Sequence, residues 1–184
     1  MNRPPAKALT VFVGLILVAV LTRLVMWLPN FHAVTAATLF AGFYFRSRLT
    51  AALVPVIAMS LSNWIIGGYA FEIMLAVYAA LLLPLMLRGW LRVNLSAPRV
   101  AMSAVASSLV FYLATNAAVW YVGAWYPRSF EGLAACYVAA LPFFWNAVAG
   151  DLAFSALLFG SYALGKHFIA ARGRTLAFAR ESLA

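Results

Sequence analysis

The stretch Glu131–His167, EGLAACYVAALPFFWNAVAGDLAFSALLFGSYALGKH, decides how the rest of the chain is read. Apart from Glu131, Asp151 and Lys166 it carries no formal charge. As one helix it would run roughly 55 Å, whereas the hydrocarbon core of a bilayer is about 30 Å thick. Pro142 lacks an amide hydrogen and crowds the preceding turn, and Gly150 follows two turns later. A break between them is therefore expected, with 131–145 a partial helix on the outer side and 146–167 a membrane span. A long tilted helix that protrudes from the membrane is the unbroken alternative.

Working outward, apolar runs of membrane-spanning character cover 8–28, 33–45, 49–66, 71–87 and 100–121. Basic residues choose the number of crossings. With six crossings and both termini on one side, that side holds Arg3, Lys7, Arg46, Arg48, Arg88, Arg92, Arg99, Lys166, Arg172, Arg174 and Arg180. Of the 13 basic residues only Arg128 falls opposite, and Arg23 lies within the first span. A seventh crossing would carry the C-terminal cluster across, and omitting 33–45 would carry Arg46, Arg48, Arg88, Arg92 and Arg99 across. The positive-inside rule selects six, with both termini cytoplasmic. The expected fold is all-α: one integral membrane bundle of six transmembrane helices over 1–184, with a broken sixth segment. Met1–Lys7 is short and basic like the front of a signal peptide, but the apolar run behind it exceeds a signal core and is expected to stay as a span.

Composition agrees. The chain has 184 residues, 66% hydrophobic and 9% charged, and its mean hydropathy is +0.96. Soluble domains carry about 25% charged residues, so an independent soluble enzyme, a disordered tail and a disulfide scaffold are all excluded. The net charge of +9 sits in short clusters between apolar runs, which is membrane topology and not a nucleic-acid surface. The single cysteine, Cys136, excludes an internal disulfide and a Cys-only metal site. No Gly-rich phosphate loop and no paired-His metal motif is present, and no cofactor is expected.

Intramembrane polar residues gather toward the outer half. Arg23, Asn30 and His32 lie around the first outer turn, and Thr35 and Thr38 open the second span. Ser60, Ser62 and Asn63 end the third span, and Glu72 opens the fourth. Tyr112, Asn116 and Trp120 form an i, i+4, i+8 stripe on the fifth, and Asn146, Asp151 and Ser155 start the sixth. Charged side chains at mid-bilayer face partners or water. Arg23 and Asp151 either pair with each other or line an outward pocket. The candidate binding residues are Asn63, Glu72, Asn116, Trp120, Tyr137, Asn146 and Asp151. An acid in the first turn of a helix is favoured by the dipole alone, so Glu72 also has a purely structural reading. Trp64, Tyr69, Tyr121, Trp125, Tyr126 and Trp145 flank the same region, either as an interfacial belt or as walls for a flat ligand. Ala33, Ala37 and Ala41 form a small-residue row for close helix packing, within the bundle or against a partner subunit.

Three segments carry a family resemblance over roughly residues 20–160. They are Phe31–Val34 running into Ala37–Phe45; Tyr112–Trp120 followed by Trp125–Ser129; and Gly132–Tyr137 through Pro142–Asn146 to Gly150–Leu152. In these the chain resembles a family of uncharacterised bacterial six-helix membrane proteins that is similar to the S components of energy-coupling factor transporters. That resemblance implies a bacterial inner-membrane protein that captures a vitamin-like molecule or a metal ion from outside. It also implies a transmembrane coupling subunit and separate ATPases as partners.

The expected function is therefore substrate binding for small-molecule uptake, without enzymatic activity. A structural membrane scaffold of the bacterial cell-shape type is the rival; it predicts helix interfaces and no outward cavity. An intramembrane enzyme using Glu72 and Asp151 as an acid/base pair ranks last, because no nucleophile stands beside a base.

Overall fold

The structure, a computed structural model, describes residues 5–25 and 27–181, with side chains over 6–25 and 27–172. Arg3 and the side chains of Arg174 and Arg180 lie outside the described residues. All regular structure among the described residues is helical: α1 (Pro5–Val25), α2 (Val34–Tyr44), α3 (Arg48–Ile66), α4 (Phe71–Leu82), a 3₁₀ segment (Leu83–Leu87), α5 (Arg88–Val93), α6 (Ala97–Val122) and α7 (Phe130–Glu181). Five helices are long and apolar enough to cross a membrane: Ala6–Val25, Arg48–Ile66, the continuous Phe71–Val93, Ala97–Val122 and Phe130–Arg172. Their outward faces carry large apolar side chains, such as Leu9, Val13, Leu17 and Leu21 at every fourth position of α1. Unbroken apolar surface of this kind suits lipid and not water.

The sixth apolar helix, α2, is shorter than a membrane span. It has 11 residues and is about 16 Å long. Every residue from Val34 to Gly42 is buried, because α2 threads the centre of the bundle against α1, α3 and α7. Ala33, Ala37 and Ala41 are fully buried, so their row packs α2 inside the bundle. Gly42 belongs to the same close contact, since a Cβ there would stand 3.1 Å from Leu85 Cδ2. At the far end of α2, Phe40, Phe43 and Tyr44 pack with Phe159 and Tyr162 of α7.

Local chemistry fixes the helix ends. The Ser47 hydroxyl accepts from the Thr50 amide, 3.1 Å, and caps α3. Gly67 ends α3 at φ 91°, a conformation that side chains rarely adopt. Carbonyls at the end of α2 and just past it receive arginines: Arg92 Nε donates to Phe43 O at 2.9 Å, and Arg88 Nη2 to Phe45 O at 3.3 Å and Arg46 O at 2.6 Å. Cations at a helix C-terminus satisfy both its free carbonyls and its dipole. Arg46 and Arg48 lie at this same end, as does Arg99, which stacks over Trp90 at 5.4 Å. α1 runs with its N-terminal half toward this end, Phe12 meeting Phe45. Opposite it stand Arg23 and Arg128, the latter over the Tyr121 ring at 5.2 Å. The two ends of the bundle therefore differ sharply in charge.

One expectation is overturned. The sixth segment is unbroken: α7 runs 52 residues through Pro142 and Gly150, about 78 Å. Pro142 is exposed, so the hydrogen bond it removes and the ring it adds disturb no packed neighbour. Gly150 marks close packing and not a break. A Cβ there would stand 3.2 Å from both His32 N and Phe31 Cα. Asn146, Gly150 and Phe154 form one row on α7 that holds residues 29–32: Asn146 Nδ2 donates to Pro29 O (3.1 Å), and Phe154 packs on Phe31 (ring centroids 5.6 Å). The irregular segment between α1 and α2 is exposed over 27–30 and enters the bundle over 31–33.

Candidate functional site

The turn at 27–33 folds inward because α2 is short and its start is held low. Thr22 Oγ1, one turn before the end of α1, accepts from the Ala33 amide at 3.0 Å. Asn30 takes φ 63°, which Asn tolerates better than most residues. Beside this turn opens a cavity of about 480 Å3. Its walls come from the end of α1 (Thr22, Arg23), the turn Leu28–His32, α3 (Met59, Ile66), Tyr69, α4 (Ile73, Val77, Leu81), α6 (Phe111, Thr115, Val119) and Trp125. The lining is mostly apolar, with few polar groups. Arg23, His32 and Tyr69 are its titratable side chains, and no carboxylate is among the lining residues.

Arg23 Nη1 hydrogen-bonds the Ser62 hydroxyl of α3. Ser62 in turn donates to Ala58 O at 2.8 Å, which fixes its lone pairs toward the guanidinium. Arg23 and Asp151, expected either to pair or to line a pocket, have separate partners: Asp151 Oδ2 accepts from Ser108 Oγ at 2.6 Å, with Thr35 beside it. Asn63, next to Ser62, is buried, with its side-chain amide beside the Tyr69 phenol. His32 Nδ1 is enclosed without a partner. Burial foremost, and then the positive charge of Arg23, push the His32 imidazole down to about 4. Burial raises the Tyr69 phenol above its ordinary value, and Arg23 pulls the other way.

None of the seven residues expected to bind substrate lines the larger cavity. Asn116 lines a smaller cavity of about 70 Å3, which shares Asn30, Phe111 and Thr115 with the larger one. Its Nδ2 donates to Tyr112 O at 2.7 Å. Trp120 Nε1 donates to Pro127 O at 2.9 Å, and Tyr137 OH to Leu113 O at 2.8 Å. Tyr112 OH returns a bond to Tyr137 O at 2.7 Å, and Cys136, a buried thiol, lies 3.5 Å from Asn116 O. The stripe Tyr112–Asn116–Trp120 is thus the seam between α6 and α7. Asn146 holds the turn before α2, Asp151 is buried between α6 and α7, and Asn63 is buried next to Ser62, outside the lining. Glu72 is exposed in the first turn of α4. Of the flanking aromatics, Tyr69 and Trp125 line the cavity, whereas Trp64, Tyr121 and Trp145 are exposed, as an interfacial belt would be.

The lining residues that sequence reasoning did not assign to the site are apolar ones such as Met59, Val77, Leu81 and Phe111, which look like ordinary bundle core. The signal that was present is Arg23, a cation in the last turn of α1 with no acid nearby in sequence.

Comparison with curated proteins and with solved structures found no match. A protein-family model does match, over residues 4–172. By that match, which covers nearly the whole bundle, the chain belongs to DUF6580, a family of unknown function.

Proposed function

We propose that the protein is the solute-binding membrane component of a small-molecule uptake transporter, energised by separate subunits. The observation that carries this reading is the cavity of about 480 Å3 at the end of the bundle remote from Arg46, Arg48, Arg88, Arg92 and Arg99. Ligand sites are concave, of some 300–1,000 Å3, mainly apolar, with a few polar groups that set orientation. A scaffold built only for helix contacts has no use for such a space. Under the positive-inside rule the basic end faces the cytoplasm, so the cavity opens outward in the inner membrane and the chain crosses six times, α2 and its flanking turns making the short passage. The sequence resemblance to S components supplies the partners: a transmembrane coupling subunit and ATPases. Among the described residues no group of three or more His, Cys, Asp or Glu side chains gathers, which favours an organic solute over a metal ion.

The test is a thermal-shift screen of the purified protein against vitamins, purines and divalent cations, repeated with Val77→Trp. Val77 is buried and lines the cavity, so the indole fills it. Expected are hits that stabilise the natural protein and leave a folded Val77→Trp variant unmoved. A screen without hits, together with crosslinks to morphogenetic proteins and to no ATPase module, would replace this reading with the scaffold one.

A further inference from the structure

We infer that the solute is an amphipathic organic anion, its oxyanion group seated on Arg23 and its apolar body between α4 and α6. This rests on the solute-binding reading and adds the class of ligand. A guanidinium has five N–H donors, and the hydrogen bond to Ser62 uses only one of the two Nη atoms. No other nitrogen of Arg23 is sealed in protein without a partner, and Arg23 lines the cavity. The remaining donors are therefore accessible on a residue that lines that space.

The surroundings supply no counter-charge. The lining has no carboxylate, and Asp151 is engaged with Ser108. Glu72, the acid at the start of α4, is exposed outside the lining. Arg23, a cation in the last turn of α1 that lines a cavity with no acid, can take a counter-charge brought by a ligand. One further group fits the same ligand: the Tyr69 phenol lines the cavity on the side of Arg23. Beyond this polar corner the walls are Met59, Ile73, Val77, Leu81, Phe111 and Val119, which favour a hydrocarbon or flat aromatic body.

An oxyanion could come from a dissolved acid or from the headgroup of an anionic lipid, and the proposal commits to the dissolved acid. The experiment uses matched probes on the full chain in phosphatidylcholine nanodiscs: indole-3-acetate against indole-3-acetamide, and 1-naphthoate against 1-naphthamide. The acid of each pair is expected to bind about tenfold or more tightly than its amide. Arg23→Gln should erase that preference and Arg23→Lys keep part of it, with melting transitions showing that both variants fold. Equal binding of acid and amide would overturn the anion inference while leaving a solute-binding cavity. Loss of acid binding on adding phosphatidylglycerol to the disc would assign the site to a lipid headgroup and overturn it. Binding of no probe at all would count against both this inference and the function it rests on.

Discussion

The α6–α7 seam and the cavity beside α1 are both rich in polar side chains, yet they treat them in opposite ways. Along the seam the polar groups are spent on the partner helix or the turn that leads into it: Tyr112 on Tyr137 O, Tyr137 on Leu113 O, Trp120 on Pro127 O, Ser108 on Asp151. Around the cavity some polar capacity is left over, with Arg23 bonded through one nitrogen to Ser62 and His32 Nδ1 unpaired. In an apolar bundle, polarity alone marks either helix packing or ligand capture. The degree to which hydrogen bonds are already satisfied separates the two.

The strongest way to break the seam is at Gly132. A Cβ there would lie 2.1 Å from Pro127 O, the same carbonyl that accepts from Trp120, so the backbone entering α7 must move. Gly132→Ala should cost about 3 kcal/mol, the upper part of the range for overpacking, read as a fall in thermal midpoint in detergent. Gly160→Ala, inside the same helix with nothing within 4 Å, is the control and should stabilise by up to about 1 kcal/mol. A smaller break is Tyr137→Phe, which removes one helix–helix bond and should cost about 1 kcal/mol. It should leave probe binding at Arg23 unchanged; a loss of binding would show that seam and cavity are one unit.

The cavity side can be sharpened by pH. His32 has its imidazole near 4 in the folded chain, below the ordinary value of 6.5, so the unfolded chain takes up the proton first. Its contribution to stability is complete above about pH 6.5 and is lost as the pH falls toward 4. Thermal midpoints of His32→Gln across that window should fall less steeply with acid than those of the natural protein. Glu72→Gln is the smallest expected effect: an exposed first-turn acid contributes only a dipole interaction, and the midpoint should shift by less than about 0.5 kcal/mol in equivalent stability.

Apolar runs and basic clusters made much of the architecture legible in the sequence. They located the helices, and the positions of Arg46, Arg48, Arg88, Arg92 and Arg99 foretold the charged end at which Arg88 and Arg92 bond the end of α2. The Ala33–Ala37–Ala41 row foretold close packing of α2. The continuity of α7 was not legible, because a proline costs its own helix one hydrogen bond and a local clash, which a long helix can absorb without ending, as α3 also does at Pro55. Gly150 was read as a weakness, since sequence shows the missing side chain and not the turn that fills its place. The same limit hid the cavity. Its apolar walls have the composition of any bundle interior, and only the fold shows which faces fail to meet. Asn116 and Tyr137 looked like ligand contacts for the converse reason: their backbone partners are invisible until α6 and α7 lie side by side.

The shortness of α2 has an electrical consequence. If the cavity fills with water, the insulating layer left between its floor and the basic end approaches the roughly 16 Å of that helix instead of the full hydrocarbon thickness. A transmembrane voltage would then drop mainly across this thin septum, and an anion resting on Arg23 would still have nearly all of it ahead. Moving inward against a negative interior costs about 2.3 kcal/mol per elementary charge for each 100 mV, a load that an external motor such as ATP hydrolysis would have to carry.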